Sequence, residues 1–211
     1  MAKLVMGVCL PGHVQPAFGP GEFCLVREIS RLNVNPLLKN LLLTGKPGVG
    51  KTTLLERVIK SLNVPVSGFY TQEIREGGVR KGFRLMTWDG KSGVLSHVNI
   101  QSRCRVGKYG VDIKVIEEIG VPAIEEAIKQ AKLIAIDELA RMELFSQAFQ
   151  KTVLDVLGSK IPVMATIQER PHPFLDRVRQ RSDVQLFSVT LENRDRLVGL
   201  LKEKISELIL H

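Results

Sequence analysis

The chain has 211 residues, which is the length of one domain or of one domain with a small appendage. Hydrophobic residues make up 44% of it and charged residues 25%, as in ordinary globular proteins, so a disordered chain, a collagen and a disulfide-rich miniprotein are excluded. Its 30 Lys and Arg against 22 Asp and Glu give a net charge of +8, which is compatible with a phosphorylated small molecule, nucleic acid or a membrane surface as partner.

The basic excess is concentrated in one stretch. Residues 75–114 carry a net charge of +6, whereas residues 115–160 carry −3. The longest apolar runs, such as residues 41–43, are far shorter than the ~18 residues of a membrane-spanning helix, so no membrane partner is expected. The three cysteines, at 9, 24 and 104, follow no zinc-ligand spacing, and an unpaired set favours a reducing compartment. A cytoplasmic location is therefore expected.

Residues 1–38 are rich in proline and glycine, which interrupt helices and strands. We predict an N-terminal extension there, separate from a domain formed by residues 39–211. The predicted elements of that domain follow in chain order: a buried strand at 40–44, a helix at 51–62, a strand at 64–70, a hairpin at 73–86, a strand within 87–100, a helix at 122–131, a buried strand at 133–136, a helix at 145–157, a buried strand at 161–167, a helix at 174–180, a strand at 184–189 and a helix at 197–209.

Strands that alternate with helices predict an α/β fold. We expect a mostly parallel sheet with helices on both faces and a β-hairpin inserted after the first helix. The segment between the first strand and the first helix then becomes the most informative part of the chain, because parallel sheets bind ligands at the carboxyl ends of their strands.

That segment matches the phosphate-binding pattern G-x-x-x-x-G-K-[ST] in full. Glycines let successive backbone N–H groups face an anion, and the helix that follows adds the positive end of its dipole. Lys51 is predicted to reach the β- and γ-phosphates, and Thr52 to offer its hydroxyl to Mg²⁺. The sequence therefore predicts a nucleoside triphosphate as ligand.

The buried strand at 133–136 ends in two carboxylates, Asp137 and Glu138, which places both at the edge of the sheet where ligands bind. Asp137 is predicted to hold Mg²⁺, and Glu138 to polarise a water molecule for attack on the γ-phosphate. A carboxylate directly after the Mg²⁺ aspartate favours hydrolysis over phosphoryl transfer. Thr166 and Gln168, at the end of another core strand, are candidates to assist.

Taken in order, several stretches resemble the thermophilic nucleoside-triphosphatase family, which includes the cancer-related nucleoside-triphosphatase. They lie at 45–52, 68–75, 77–83, 105–112, 137–146 and 190–194. The resemblance implies a P-loop fold, Mg²⁺-dependent hydrolysis of nucleoside triphosphates to diphosphates with loose base selectivity, and a second nucleotide-binding segment at 133–140. Ala140 stands where the family usually has Gly, and a positive φ at that position would strain an alanine.

These arguments define the candidate site. Nucleotide binding is predicted for Gly45, Lys46, Pro47, Gly48, Val49, Gly50, Lys51, Thr52, Thr53, Leu133, Ile134, Ala135, Ile136, Asp137, Glu138, Leu139 and Ala140. Catalysis is predicted for Lys51, Glu138 and Arg141, and coordination of Mg²⁺ for Thr52 and Asp137.

The role of the basic stretch stays open. One of its arginines, or Arg141, is the candidate to stabilise charge in the transition state. The basic residues of the stretch are Arg75, Arg80, Lys81, Arg84, Lys91, Arg103, Arg105, Lys108 and Lys114. Asn193 and Arg194 are candidates to approach the base, with a plain helix cap and a surface arginine as the alternative.

Two other functions are compatible with the sequence. An RNA- or DNA-stimulated ATPase is the first, because Tyr70, Phe83, Trp88 and Tyr109 are interspersed with the basic residues, as stacking platforms would be. We favour the alternative that these rings pack the hairpin onto the sheet. A nucleotide or small-molecule kinase is the second, and it would phosphorylate an acceptor and release little free phosphate.

Overall fold

A computed structural model describes residues 38–210. The predicted extension at residues 1–38 lies outside the described residues except for its last position, so that boundary stays a prediction. Within residues 38–210, nine strands form one sheet and five helices pack against it. Over the same range, none of the helices combines the length and apolar character needed to cross a bilayer.

The elements are numbered here in chain order. The strands are β1 (Asn40–Thr44), β2 (Val66–Glu76), β3 (Val79–Thr87), β4 (Ser92–His97), β5 (Arg105–Val106), β6 (Tyr109–Val111), β7 (Leu133–Leu139), β8 (Val163–Ile167) and β9 (Val184–Ser188). The helices are α1 (Lys51–Ser61), α2 (Val121–Gln130), α3 (Gln147–Gly158), α4 (Pro173–Arg179) and α5 (Arg194–Leu210). Helical turns at Ile113–Val115 and Ile116–Gly120 lead into α2, and a 3₁₀ turn at Glu143–Phe145 precedes α3.

The sheet has a parallel half and an antiparallel half. Its strand order is β5-β6-β4-β3-β2-β7-β8-β1-β9. Pairing is parallel from β2 to β9 and antiparallel from β2 to β5. The predicted α/β fold with an inserted hairpin is therefore confirmed. The insertion is larger than predicted, because β5 and β6 add to β2, β3 and β4 and make an antiparallel extension in which five strands take part.

The long strand β2 joins the two halves. Its first residues, 66–69, pair with β7, while residues 69–76 pair with β3. Because β2 runs parallel to β7, its second half projects past the carboxyl end of the parallel strands. The antiparallel extension is thereby held at the edge of the sheet where parallel strands present their ligand-binding loops.

Apolar residues of the parallel strands are buried on both faces, as their unbroken apolar runs predict. In β1, Leu41 and Leu43 face one core, which contains the apolar residues of α1 and α5. Leu42 faces the other core, which contains those of α2, α3 and α4. The prediction of helices on both faces is thus confirmed, and the sheet between them is rigid enough to fix the loops at its edge.

Gly68 lies where β2 pairs with β7, and its replacement tests how closely the two strands approach. Its φ is +108°, and an added Cβ would lie 2.3 Å from the carbonyl oxygen of Ala135. Gly68→Ala is expected to lower the free energy of unfolding by ~2 kcal/mol or more, because an unfavourable φ and a backbone clash coincide. Gly199→Ala in α5 is the control: its added Cβ meets nothing within 4 Å, and a gain of up to ~1 kcal/mol is expected. Urea denaturation of both variants measures the difference, and equal stabilities would contradict the close approach of β2 to β7.

Candidate active site

The loop between β1 and α1 has the backbone geometry of an anion-binding nest. Gly45, Gly48 and Gly50 have φ values of +150°, +79° and +99°, which residues with a side chain rarely adopt. Helix α1 begins at Lys51 with no side chain capping its first N–H groups and no acidic residue in its first turn. Its positive end is therefore directed at the loop and is not capped by a side chain of the helix itself.

The Lys51 ammonium lies over this loop. It donates a hydrogen bond to the carbonyl oxygen of Gly45 at 3.0 Å. A cation is thus held beside the turned-in N–H groups, so that both kinds of positive group converge on the same space.

Asp137 is the buried polar centre of the site, with 2% of its surface exposed. Its Oδ2 accepts a hydrogen bond from the Thr52 hydroxyl at 2.9 Å, and its Oδ1 accepts one from the Thr166 hydroxyl at 2.5 Å. Burial raises the pKa of the Asp137 carboxyl, while the two hydroxyl bonds and the Lys51 charge oppose that rise. Thr166 therefore orients Asp137, while Gln168 lines the adjoining cavity.

Strand β7 runs to Leu139, so Asp137 and Glu138 lie at the carboxyl end of the strand, as predicted. The pairing of β7 with β8 shifts register between Ile136 and Leu139, and the Asp137–Glu138 peptide bond is cis. Glu138 is half-buried and lines the adjoining cavity. Burial raises the pKa of its carboxyl, and the neighbouring Lys51 ammonium lowers it.

A cavity of about 450 Å³ lies between the phosphate loop, the end of β7 and the antiparallel extension. Its lining residues come from all three parts of the structure. They are Gly45, Pro47, Lys51, Thr71, Phe83, Leu95, Val106, Glu138, Ala140, Arg141, Met142, Glu143, Gln168, Glu169 and Arg170.

This lining bears on the choice among the candidate arginines. Arg141 lies at the cavity, whereas no lysine or arginine of the fully described stretch 75–114 is among the lining residues. Arg170, which the sequence analysis did not identify, also lies there. The two arginines that line the cavity thus come from the segments that follow β7 and β8.

The most unusual residue of the cavity is Glu143, which is 3% exposed. Its Oε2 has no hydrogen-bond partner among residues 38–210. Burial raises the pKa of the Glu143 carboxyl well above its usual range, and hydrogen bonds from the backbone at Glu143 and Ala140 offset this only in part. Sequence analysis missed this residue, although a single charge within the otherwise apolar run 142–145 is a usable signal.

The other predicted residues of β7 lie in the interior of the protein. Leu133, Ile134, Ala135 and Ile136 are buried in the two cores, where they anchor β7 and so position Asp137. Ala140 has no positive φ, because glycines alone have one in the described part of the chain. The strain expected at this alanine is therefore absent.

Asn193 and Arg194 contact the protein itself. The Asn193 amide donates to the carbonyl of Ser188 at 2.9 Å, and its Oδ1 accepts from the N–H of Thr190 at 2.9 Å. The Arg194 guanidinium donates to the carbonyl of Val49 at 3.3 Å. Asn193 thus holds the turn before α5, and Arg194 supports the phosphate loop. Beside Arg194 lies the exposed Thr53.

The aromatic residues of the extension pair with one another, as the packing interpretation predicts. Tyr70 and Trp88 have ring centroids 4.7 Å apart, and Phe83 and Tyr109 meet edge to face at 5.7 Å. The Trp88 indole also donates to the carbonyl of Ala135 at 3.1 Å, which ties the extension to β7. These contacts support the packing of the extension, and Phe83 in addition lines the cavity. The alternative of a nucleic-acid-stimulated ATPase stays a prediction.

A family model described as NTPase matches residues 40–201 of the chain. The chain belongs to this NTPase family. It is 43% identical over 159 residues to nucleoside-triphosphatase THEP1 of Thermotoga sp. strain RQ2, and the match covers 75% of this chain and 91% of that protein. It is 39% identical over 178 residues to the human cancer-related nucleoside-triphosphatase, and that match covers 77% of this chain and 94% of the human protein.

The NTPase fold is also found by comparison with solved structures. The crystal structure of THEP1 from the hyperthermophile Aquifex aeolicus is similar with a TM-score of 0.71 and 36% sequence identity. This match covers 77% of the present chain and 96% of the other. The resemblance to the nucleoside-triphosphatase family and the P-loop fold that it implies are therefore confirmed.

Burial of Glu143 has a measurable consequence for stability. Because its folded-state pKa is raised above the unfolded value of ~4.3, the folded protein binds this proton more tightly. The free energy of unfolding should therefore fall as the pH rises from that unfolded value through the folded pKa. Glu143→Gln keeps the shape without the charge, so it should lose this dependence and exceed the wild type in stability above neutral pH.

Urea denaturation across acidic, neutral and alkaline pH measures this effect. Glu203→Gln, which makes the same change at an exposed position of α5, is the control and should follow the wild-type pH dependence. The same pH dependence of the free energy of unfolding in all three proteins would contradict a buried carboxyl with a raised pKa at position 143.

Proposed function

We propose that this chain hydrolyses nucleoside triphosphates, ATP and GTP among them, to diphosphates and phosphate with Mg²⁺, and that Glu138 activates the attacking water. One observation carries the proposal: the phosphate loop and Glu138 line a single cavity, and Asp137 is hydrogen-bonded to Thr52 at the end of that loop. The relatives that the chain matches bear the name nucleoside-triphosphatase.

The donor atoms at Thr52 and Asp137 fit Mg²⁺. A hydroxyl and a carboxylate oxygen lie 2.9 Å apart, and both are hard oxygen donors. In nucleotide sites Mg²⁺ uses one or two carboxylates together with phosphate oxygens and water. When bound, the ion would neutralise charge on the β- and γ-phosphates.

The chain's own residues would carry the remaining steps. The glycine nest and Lys51 would bind the β- and γ-phosphates, since N–H groups and an ammonium converge there. The Glu138 carboxylate would accept the proton of the water that attacks the γ-phosphorus. Arg141, at the cavity, would face the charge that develops on the transferred group.

The contacts of Asn193 and Arg194 support loose base selectivity. Both side chains are engaged with backbone carbonyls of the protein, at Ser188 and Val49. A site that selects a base strongly uses polar groups reserved for that base. We therefore expect similar rates with purine and pyrimidine nucleotides.

Replacement of the proposed base tests this function. Wild type is expected to release phosphate from ATP, GTP, CTP and UTP without any added acceptor. Glu138→Gln should reduce the rate roughly 10²- to 10⁴-fold, because an amide cannot accept the proton. Glu203→Gln on the exposed face of α5 should match the wild type. Undiminished phosphate release by Glu138→Gln would remove Glu138 as the base.

A second comparison tests the arginine assignment. Arg141→Ala should lower kcat by roughly 10³-fold, the effect of losing an arginine that stabilises transferring phosphate. Arg105→Ala is the control from the basic stretch, because its guanidinium donates to the carbonyl of Lys108 at 2.8 Å, away from the cavity lining. Steady-state kinetics on both variants, with folding checked by denaturation, distinguishes them. A loss confined to Arg105→Ala would reverse the assignment.

A further inference from the structure

The phosphate loop is contacted by Arg194, the first residue of α5. The Arg194 guanidinium donates a hydrogen bond to the Val49 carbonyl at 3.3 Å. The same guanidinium lies against the next residue of the loop, because a Cβ added to Gly50 would be 3.2 Å from its Nη1. One side chain of α5 thus holds two consecutive residues of a loop that lies 145 positions earlier in the chain.

The packing of α5 on α1 fixes the position of Arg194. Leu54 of α1 and Leu197 of α5 are both buried in the same apolar core. Beside this core, the exposed side chains of Arg57 and Asp195 form an ion pair between the two helices. Arg194 therefore extends from a helix that is anchored to the helix following the loop.

The hydrogen bond from Arg194 fixes the direction of the peptide group between Val49 and Gly50. A trans peptide is planar, and its carbonyl and its N–H point in opposite directions. Since the Val49 carbonyl accepts from Arg194, the Gly50 N–H points away from that arginine. Gly50 is the N-cap residue of α1, and the first N–H groups of a helix have no partner inside the helix, which leaves them to bind an anion.

This contact lies outside the cavity that is lined by Lys51 and Glu138. Arg194 is not among the described residues that line that cavity, and it borders a separate cleft of about 130 Å³ together with Gly50 and Thr53. Apart from its charge, which acts at longer range, Arg194 therefore affects a molecule in the cavity only through the loop.

We propose that Arg194 is a positioning residue of the phosphate loop, which keeps the Gly50 N–H turned toward the bound phosphates and acts alike on every nucleotide. The inference rests on the proposed function, because it concerns the same phosphate-binding loop. A group that acts through the loop strengthens binding of the substrate and of the transition state equally. Its loss should therefore raise KM and leave kcat nearly unchanged.

Equilibrium binding tests this role independently of hydrolysis. Titration calorimetry of the full-length protein with Mg²⁺ and ADP, GDP, CDP or UDP measures Kd. Arg194→Ala should raise Kd for all four roughly ten-fold, because a hydrogen bond that involves a charged group is lost. Arg194→Lys can still donate to the Val49 carbonyl and should recover part of the affinity. Arg196→Ala is the control, because it removes the same charge from an exposed position of α5, and it should bind like the wild type.

Steady-state kinetics with ATP separates positioning of the loop from a general loss of structure. Arg194→Ala should raise KM by a similar factor with kcat nearly unchanged, whereas partial unfolding would lower kcat and leave KM as it is. An unchanged Kd in Arg194→Ala, an equal rise in Arg196→Ala, or a rise confined to one of the four diphosphates would overturn the role of Arg194.

The same measurements distinguish failure of this inference from failure of the proposed hydrolysis. If the wild type binds the four diphosphates but releases no phosphate from ATP, the proposed hydrolysis is wrong, while the Kd values still decide the role of Arg194. If the wild type binds none of the four, both are overturned.

Discussion

The buried carboxylate of Asp137 is the interaction on which the site depends. Its two oxygens accept hydrogen bonds from Thr52 at the start of α1 and from Thr166 in β8. These three side chains come from separate parts of the chain, and β8 lies between β7 and β1 in the sheet. Because a buried carboxylate is costly without partners, this arrangement fixes the start of the first helix relative to the parallel strands.

The charge distribution around that centre is strongly asymmetric. The glycine nest, the end of α1 and Lys51 supply positive potential at one end of the cavity. Asp137, Glu138 and Glu143 place three carboxyl groups beyond it, and burial disfavours the ionised form of each. Carboxyl groups whose pKa values are raised by burial are more typical of functional sites than of structural ion pairs.

Much of the net charge of +8 lies in the antiparallel extension, where the basic residues do not line the cavity. Most of the basic excess lies in residues 75–114, yet the cavity wall there is formed by Phe83, Leu95 and Val106. Several basic side chains bond within the extension: Arg80 pairs with Glu73, and Arg105 donates to the carbonyl of Lys108. The basic residues thus help to hold the extension together while their apolar neighbours face the site.

The sequence by itself determined the local features. The strand, the glycine pattern and the helix of the phosphate loop follow from short-range backbone preferences. The apolar run before Asp137 indicates a buried strand, because a short run of apolar residues is visible in the local sequence alone. The tertiary structure alone decided that Thr166 orients Asp137, that Arg141 lies at the cavity, and that Glu143 is buried there. It also decided that β5 and β6 extend the sheet, since strands of two or three residues carry too little periodicity to be predicted. These features depend on contacts between residues far apart in the chain, which strand order and register create and which no local pattern contains.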